Sequence, residues 1–107
     1  MSNKLITIDK AKKEVERLKK YIELVENYET YTLEKWIIKR YAISNSIRKI
    51  LEESADEGIT NNGVPLDRGY ISSVINGKAT DELHRIVRLG YRHRIKPNKR
   101  NYKTFGR

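Results

Sequence analysis

Apolar residues recur at Ile8, Ala11, Val15, Leu18, Ile22 and Val25, in alternating steps of three and four. This is the a/d spacing of a heptad seam, and it predicts an amphipathic helix from about Ile8 to Tyr28 with Thr7 as its N-cap. The flanks carry Lys10, Lys12, Lys13, Glu14, Glu16, Arg17, Lys19 and Lys20. Such a seam either pairs with the same helix of a second chain, giving a homodimer, or packs on the rest of its own domain. The sequence leaves both open.

Helical spacing returns at Leu33, Trp36, Ile37 and Tyr41, predicting a second helix over about Thr32 to Ala42. Ile43-Ser44-Asn45-Ser46 then breaks the period and supplies N-caps for a third helix, about Ser46 to Glu57, with a buried stripe of Ile47, Ile50, Leu51 and Ala55. Gly58 follows as a C-terminal cap. Asn62-Gly63, set among β-branched residues, signals a type I′ turn and a short β-hairpin. Asp67 caps a fourth helix, Arg68 to Asn76, whose inward residues are Tyr70, Ile71, Val74 and Ile75. Gly77 ends it. A fifth helix begins near Thr80, with Asp81 and Glu82 in its first turn and Leu83, Ile86, Val87 and Tyr91 on its buried face. Pro97 is expected to stop it.

The expected fold is therefore all-α. It is a small helical domain with a helix-turn-helix (trihelical) core closed by Trp36, Ile37, Ile47, Ile50, Leu51, Ile71, Val74 and Ile75. The boundaries fall at 1–30 for the N-terminal helix, 31–96 for the helix-turn-helix domain and 97–107 for a basic, flexible tail.

Charge sharpens this picture. The net charge is +9, and all 14 acidic residues lie at or before Glu82. Residues 1–83 are balanced, so the whole excess comes from Arg85, Arg88, Arg92, Arg94, Lys96, Lys99, Arg100, Lys103 and Arg107. A neutral body with a cationic end points to a polyanionic partner. No apolar run is long enough for a membrane span and no secretory h-region is present, so a cytoplasmic location is expected. The absence of cysteine removes disulfides and thiolate metal sites. The histidines, His84 and His93, do not share a helix face and read as phosphate contacts or surface residues. Glu52, Glu53, Asp56 and Glu57 read as a solvated acidic face. No catalytic residue, metal site or cofactor is expected.

The outward positions of the fourth helix are Arg68, Gly69, Ser72, Ser73 and Asn76, all small or hydrogen-bonding and none acidic. Asn pairs with adenine edges and Arg forks onto guanine, so these five are the expected base contacts. Lys78, Arg85, Arg88, Arg92, Arg94, Lys96, Lys99, Arg100 and Lys103 are the expected phosphate contacts, with Tyr102 and Phe105 available for stacking.

The run Tyr70-Ile71-Ser72-Ser73-Val74-Ile75-Asn76-Gly77-Lys78, followed by Asp81-Glu82-Leu83 and Ile86-Val87, resembles the recognition helix and next helix of the Cro and phage-repressor helix-turn-helix family. The stretch from Ile47 to Ile75, with Gly58-Ile59 and Gly63-Val64-Pro65, resembles the C-terminal DNA-binding region of large serine recombinases, without their catalytic domain. These resemblances cover about a third of the chain. They imply a sequence-specific double-stranded DNA-binding protein, a small transcriptional regulator of the phage or mobile-element kind. Two other readings stay open: a module that docks on a host replication or transcription protein, and an RNA-binding protein.

Overall fold

The computed structural model describes residues 5–105, with side chains through residue 95. Within them the chain is mostly helical: five helices and one short two-stranded antiparallel sheet. Among the described residues no helix is long and apolar enough to cross a membrane.

Helix α1 spans Ile8–Glu26, and the Thr7 hydroxyl accepts the Lys10 N–H at 3.2 Å, as its sequence position predicts. Helix α2 spans Leu33–Ser44 behind Thr32, whose hydroxyl accepts from the Lys35 N–H. Asn45 closes α2 in the left-handed region at φ 55°, and Ser46 at once caps α3, Ile47–Glu57. A two-residue joint is possible because asparagine tolerates positive φ and serine supplies the next cap. Strands β1 (Thr60–Asn61) and β2 (Val64–Pro65) pair Asn61 with Val64 around Asn62-Gly63. Both turn residues have positive φ, 53° and 87°, as a type I′ turn requires. Helix α4 is Arg68–Asn76, capped by Asp67 through the Tyr70 N–H at 2.8 Å.

Helix α5 runs Glu82–Phe105. It starts one residue after Asp81, which serves as the cap rather than a first-turn residue: its Oδ1 accepts the His84 N–H at 2.9 Å. The expected stop at Pro97 does not occur. Proline's own φ is helical, so what the helix loses there is one N–H and some carbonyl clearance.

The core is Ile37, Ile38 and Tyr41 of α2, Ile50 of α3, Leu66, Ile71 and Ile75 of α4 and its lead-in, and Leu83 and Val87 of α5. Helix α2 is central, touching α1, α3, α4 and α5. Two neighbouring isoleucines can therefore both be buried, and Ile38 joins the core although one apolar stripe would leave it at the edge. Trp36, expected in the core, is only half-buried at its rim, as are Ile47, Leu51 and Val74. On α3 the buried position near the C-terminus is Ser54, not Ala55; the Ser54 hydroxyl donates to the Leu51 carbonyl at 2.9 Å. That internal bond is what makes a buried serine tolerable.

The Cα radius of gyration is 16.8 Å, against about 13 Å for a compact chain of this length. The outer parts of the two long helices, α1 and α5, account for the difference.

Candidate nucleic-acid interface

An α-helix turns 100° per residue, so positions 68, 69, 72, 73 and 76 fall within an arc of about 140°. Ile71 and Ile75, fully buried, lie just past the Arg68 edge of this arc. Arg68, Gly69, Ser73 and Asn76 are exposed along this arc. Ser72 is different. It sits inside the arc, between Arg68 and Asn76, but faces α5, is half-buried, and its hydroxyl shares a 2.8 Å hydrogen bond with the Tyr91 hydroxyl. Its polar group already serves the α4–α5 joint, which removes it from the free strip. Ser73 donates to the Tyr70 carbonyl at 2.7 Å and keeps its lone pairs outward. A Cβ at Gly69 would meet only the Asp67 carboxylate, at 3.5 Å, so internal packing does not require glycine there.

Helix α5 clamps α4 at three points. Tyr91 holds Ser72. His84, expected at the surface, is buried, with Nε2 3.1 Å from the Ile75 carbonyl. A carbonyl only accepts, so Nε2 carries the proton and donates to the last turn of α4. Arg92 donates from Nε to Asn76 Oδ1 at 2.5 Å and from Nη2 to the Asn76 carbonyl at 3.3 Å. The helical wheel carries a signal for the burial of His84: it lies about 20° past Tyr91, on the flank of the stripe formed by Leu83, Val87 and Tyr91.

The same wheel sorts the arginines. Arg85 and Arg92 lie opposite the buried stripe and are exposed, whereas Arg88 lies at its margin and is half-buried. The Arg88 Nε is buried with no hydrogen-bond partner among the described residues. Arg94 reaches across to donate from Nη1 to the Asn45 carbonyl at 2.7 Å, tying α5 to the α2–α3 joint. Beside it, Tyr41 and Tyr91 meet edge to face at 5.8 Å. Burial raises the Tyr41 hydroxyl's pKa, against a smaller lowering effect of Arg94. Lys78 is exposed in the loop after α4. Lys96, Lys99, Arg100, Lys103, Tyr102 and Phe105 have side chains outside the described residues.

The structure thus brings Arg92, from the expected phosphate set, directly onto Asn76, from the expected base set. Two arginines also serve as internal braces. Each bond uses only part of a five-donor guanidinium, so a brace can still present N–H groups to an anion.

The tight α2–α3 joint offers a second helix as reader, but its chemistry is wrong. The exposed residues of α3 include Glu52, Asp56 and Glu57 beside Arg48 and Lys49. Three carboxylates facing phosphates are repelled, whereas the α4 arc carries none.

A different polar cluster sets the angle of α5. Asp81 accepts from the Tyr28 hydroxyl at 2.7 Å and from Lys35 Nζ at 2.8 Å besides capping its own helix. Burial pushes its pKa up, but the bonds from Lys35, the His84 N–H and Tyr28 outweigh that and hold the carboxyl below its ordinary value. Burial, then the neighbouring Asp81, pushes the Tyr28 hydroxyl strongly up. No metal-binding cluster of three or more His, Asp or Glu side chains occurs among the described residues. Set against protein-family models, curated proteins and solved structures, the chain matches none of them.

Proposed function

We propose that this protein binds double-stranded DNA, with α4 as the reading helix of a helix-turn-helix-like unit and α5 supplying the phosphate grip. One observation carries the reading: the exposed arc of α4, acid-free and rich in short polar side chains, is bordered at Asn76 by Arg92 of the cationic helix. Short side chains let a helix approach base edges, and adjacent cations neutralise the flanking phosphates. Arg68 and Asn76 are the base readers of this proposal, Asn76 through its amide N–H groups and the Oδ1 lone pair that Arg92 does not use. Lys78, Arg85 and Arg92 are backbone contacts, joined by the cations after residue 95. The resemblance of the Tyr70 to Val87 run to Cro-type regulators suggests a small phage or mobile-element transcriptional regulator as the setting.

The test is selection from a random duplex library, followed by anisotropy titrations of the enriched site, a scrambled duplex, single-stranded DNA and RNA across a salt series. Affinity for duplex should fall steeply with salt, with a logarithmic slope of roughly −0.9 per phosphate contacted. Arg68→Ala and Asn76→Ala should each cost about 1–3 kcal/mol on the selected site and little on the scrambled one. Tighter binding to RNA than to duplex, or no duplex binding at low salt, would refute the proposal.

A further inference from the structure

We propose that α1 is a dimerisation element whose partner is α1 of a second copy, lying parallel and in register as a two-stranded coiled coil. The inference stands on α1 alone and does not depend on DNA binding.

The body of the protein holds α1 by one side and leaves its seam outside. Tyr21, Leu24 and Tyr28, at heptad positions g, c and g, pack against the core together with Val25. Apart from the half-buried Ala11, the rest of the a/d seam is open to solvent: Ile8 is 69% exposed, Val15 49%, Leu18 44% and Ile22 51%. Scattered apolar residues on a surface need no explanation, but a seam in heptad register over a helix of 19 residues does. The strip also continues into the body. Ile22 and Val25 share a cleft of about 470 Å³ with Ala42 and Ile43 of α2, and Ile43 is itself 52% exposed.

Residue type selects the partner. The a positions Ile8, Val15 and Ile22 are all β-branched, and the d positions are Ala11, Leu18 and Val25, with leucine at the centre. That combination favours two parallel strands over higher oligomers. Charge selects the direction. In a parallel, in-register pair the g residue of one helix meets the e residue five positions on in the other, so Glu14 faces Lys19 of the second copy, twice by symmetry. An antiparallel pair matching Ile8 with Val25 sets Glu14 against Glu14 and Lys19 against Lys19, which is repulsive on both flanks. Glu14 now bonds Arg17 of its own chain, an exposed pair that re-partners at small cost.

Sedimentation equilibrium of the full chain over a concentration series tests the proposal. The expected species has twice the 12.6 kDa chain mass. Leu18→Glu should give a folded monomer whose thermal unfolding midpoint no longer rises with protein concentration, because Leu18 is not packed on the core. Glu14→Lys should weaken the dimer several-fold, and adding Lys19→Glu should restore it. The chain has no cysteine, so Ile8→Cys reports direction alone: mild oxidation should cross-link it to itself, since residues 8 of an antiparallel pair lie at opposite ends of the seam. A monomer at every concentration, a Leu18→Glu dimer, a trimer, or a dimer that Ile8→Cys fails to cross-link would each overturn it.

Discussion

Replacing Asp81 by alanine removes one side chain and three hydrogen bonds at the point where the α1–α2 connection, α2 and α5 meet. The bonds run to the His84 N–H at 2.9 Å, the Tyr28 hydroxyl at 2.7 Å and Lys35 Nζ at 2.8 Å. Loss of a helix cap costs about 1 kcal/mol. A neutral hydroxyl bond contributes about 1 kcal/mol. The ion pair, with Asp81 and Lys35 side chains 27% and 35% exposed, contributes no more than about 1 kcal/mol after solvent screening. Asp81→Ala should therefore destabilise by about 3 kcal/mol, lowering the melting temperature by roughly 12–18 °C. Asp81→Asn keeps a capping oxygen and should lose only about 1 kcal/mol. Urea unfolding of both variants, with Tyr28→Phe to close a double-mutant cycle, reads these values directly. Equal losses for the two Asp81 variants would mean that charge, not capping, dominates. A loss under about 0.5 kcal/mol for alanine would mean that water replaces all three partners.

The pH dependence follows from the same site. The folded carboxyl titrates below its ordinary 3.8. Its stabilisation is complete above that value and is lost as pH falls through the depressed folded value. Asp81→Asn should flatten this acid limb of urea midpoint against pH, and an unchanged limb would assign it elsewhere. Arg94→Ala removes the bond to the Asn45 carbonyl and should cost about 1 kcal/mol in denaturant melts, while Arg94→Lys restores only part. Arg85→Ala should leave stability within about 0.5 kcal/mol of the parent. It should reduce the salt slope of duplex binding by about 1; an unchanged slope would remove Arg85 from the phosphate set. Gly58 closes α3 at φ +70° with open space around it, so Gly58→Ala should cost about 1 kcal/mol from backbone strain alone, and Gly58→Asn less.

Element identities were written locally. Thr7, Thr32, Ser46 and Asp67 each cap the helix that follows, because a cap needs only a side-chain oxygen three residues from an N–H. Asn62-Gly63 likewise makes its turn without help from elsewhere, and the cationic segment from Arg85 onward is cationic wherever it lies. Other features needed partners distant in sequence. Ile38 is buried because α2 has neighbours on several sides, which no single-stripe pattern reports. Ser72 leaves the exposed arc only because Tyr91, nineteen positions on, holds it. His84 is internal because its partner, the Ile75 carbonyl, belongs to the end of another helix. The same holds for Arg92 on Asn76 and Arg94 on Asn45: sequence supplies the guanidinium, and the crossing of α5 over α4 decides whether it braces the protein or faces outward. Short-range hydrogen bonds and turn angles depend on residues a few places apart, so the chain alone determined them. Burial and long-range pairing depend on how helices are set against one another, and that only the tertiary structure decided.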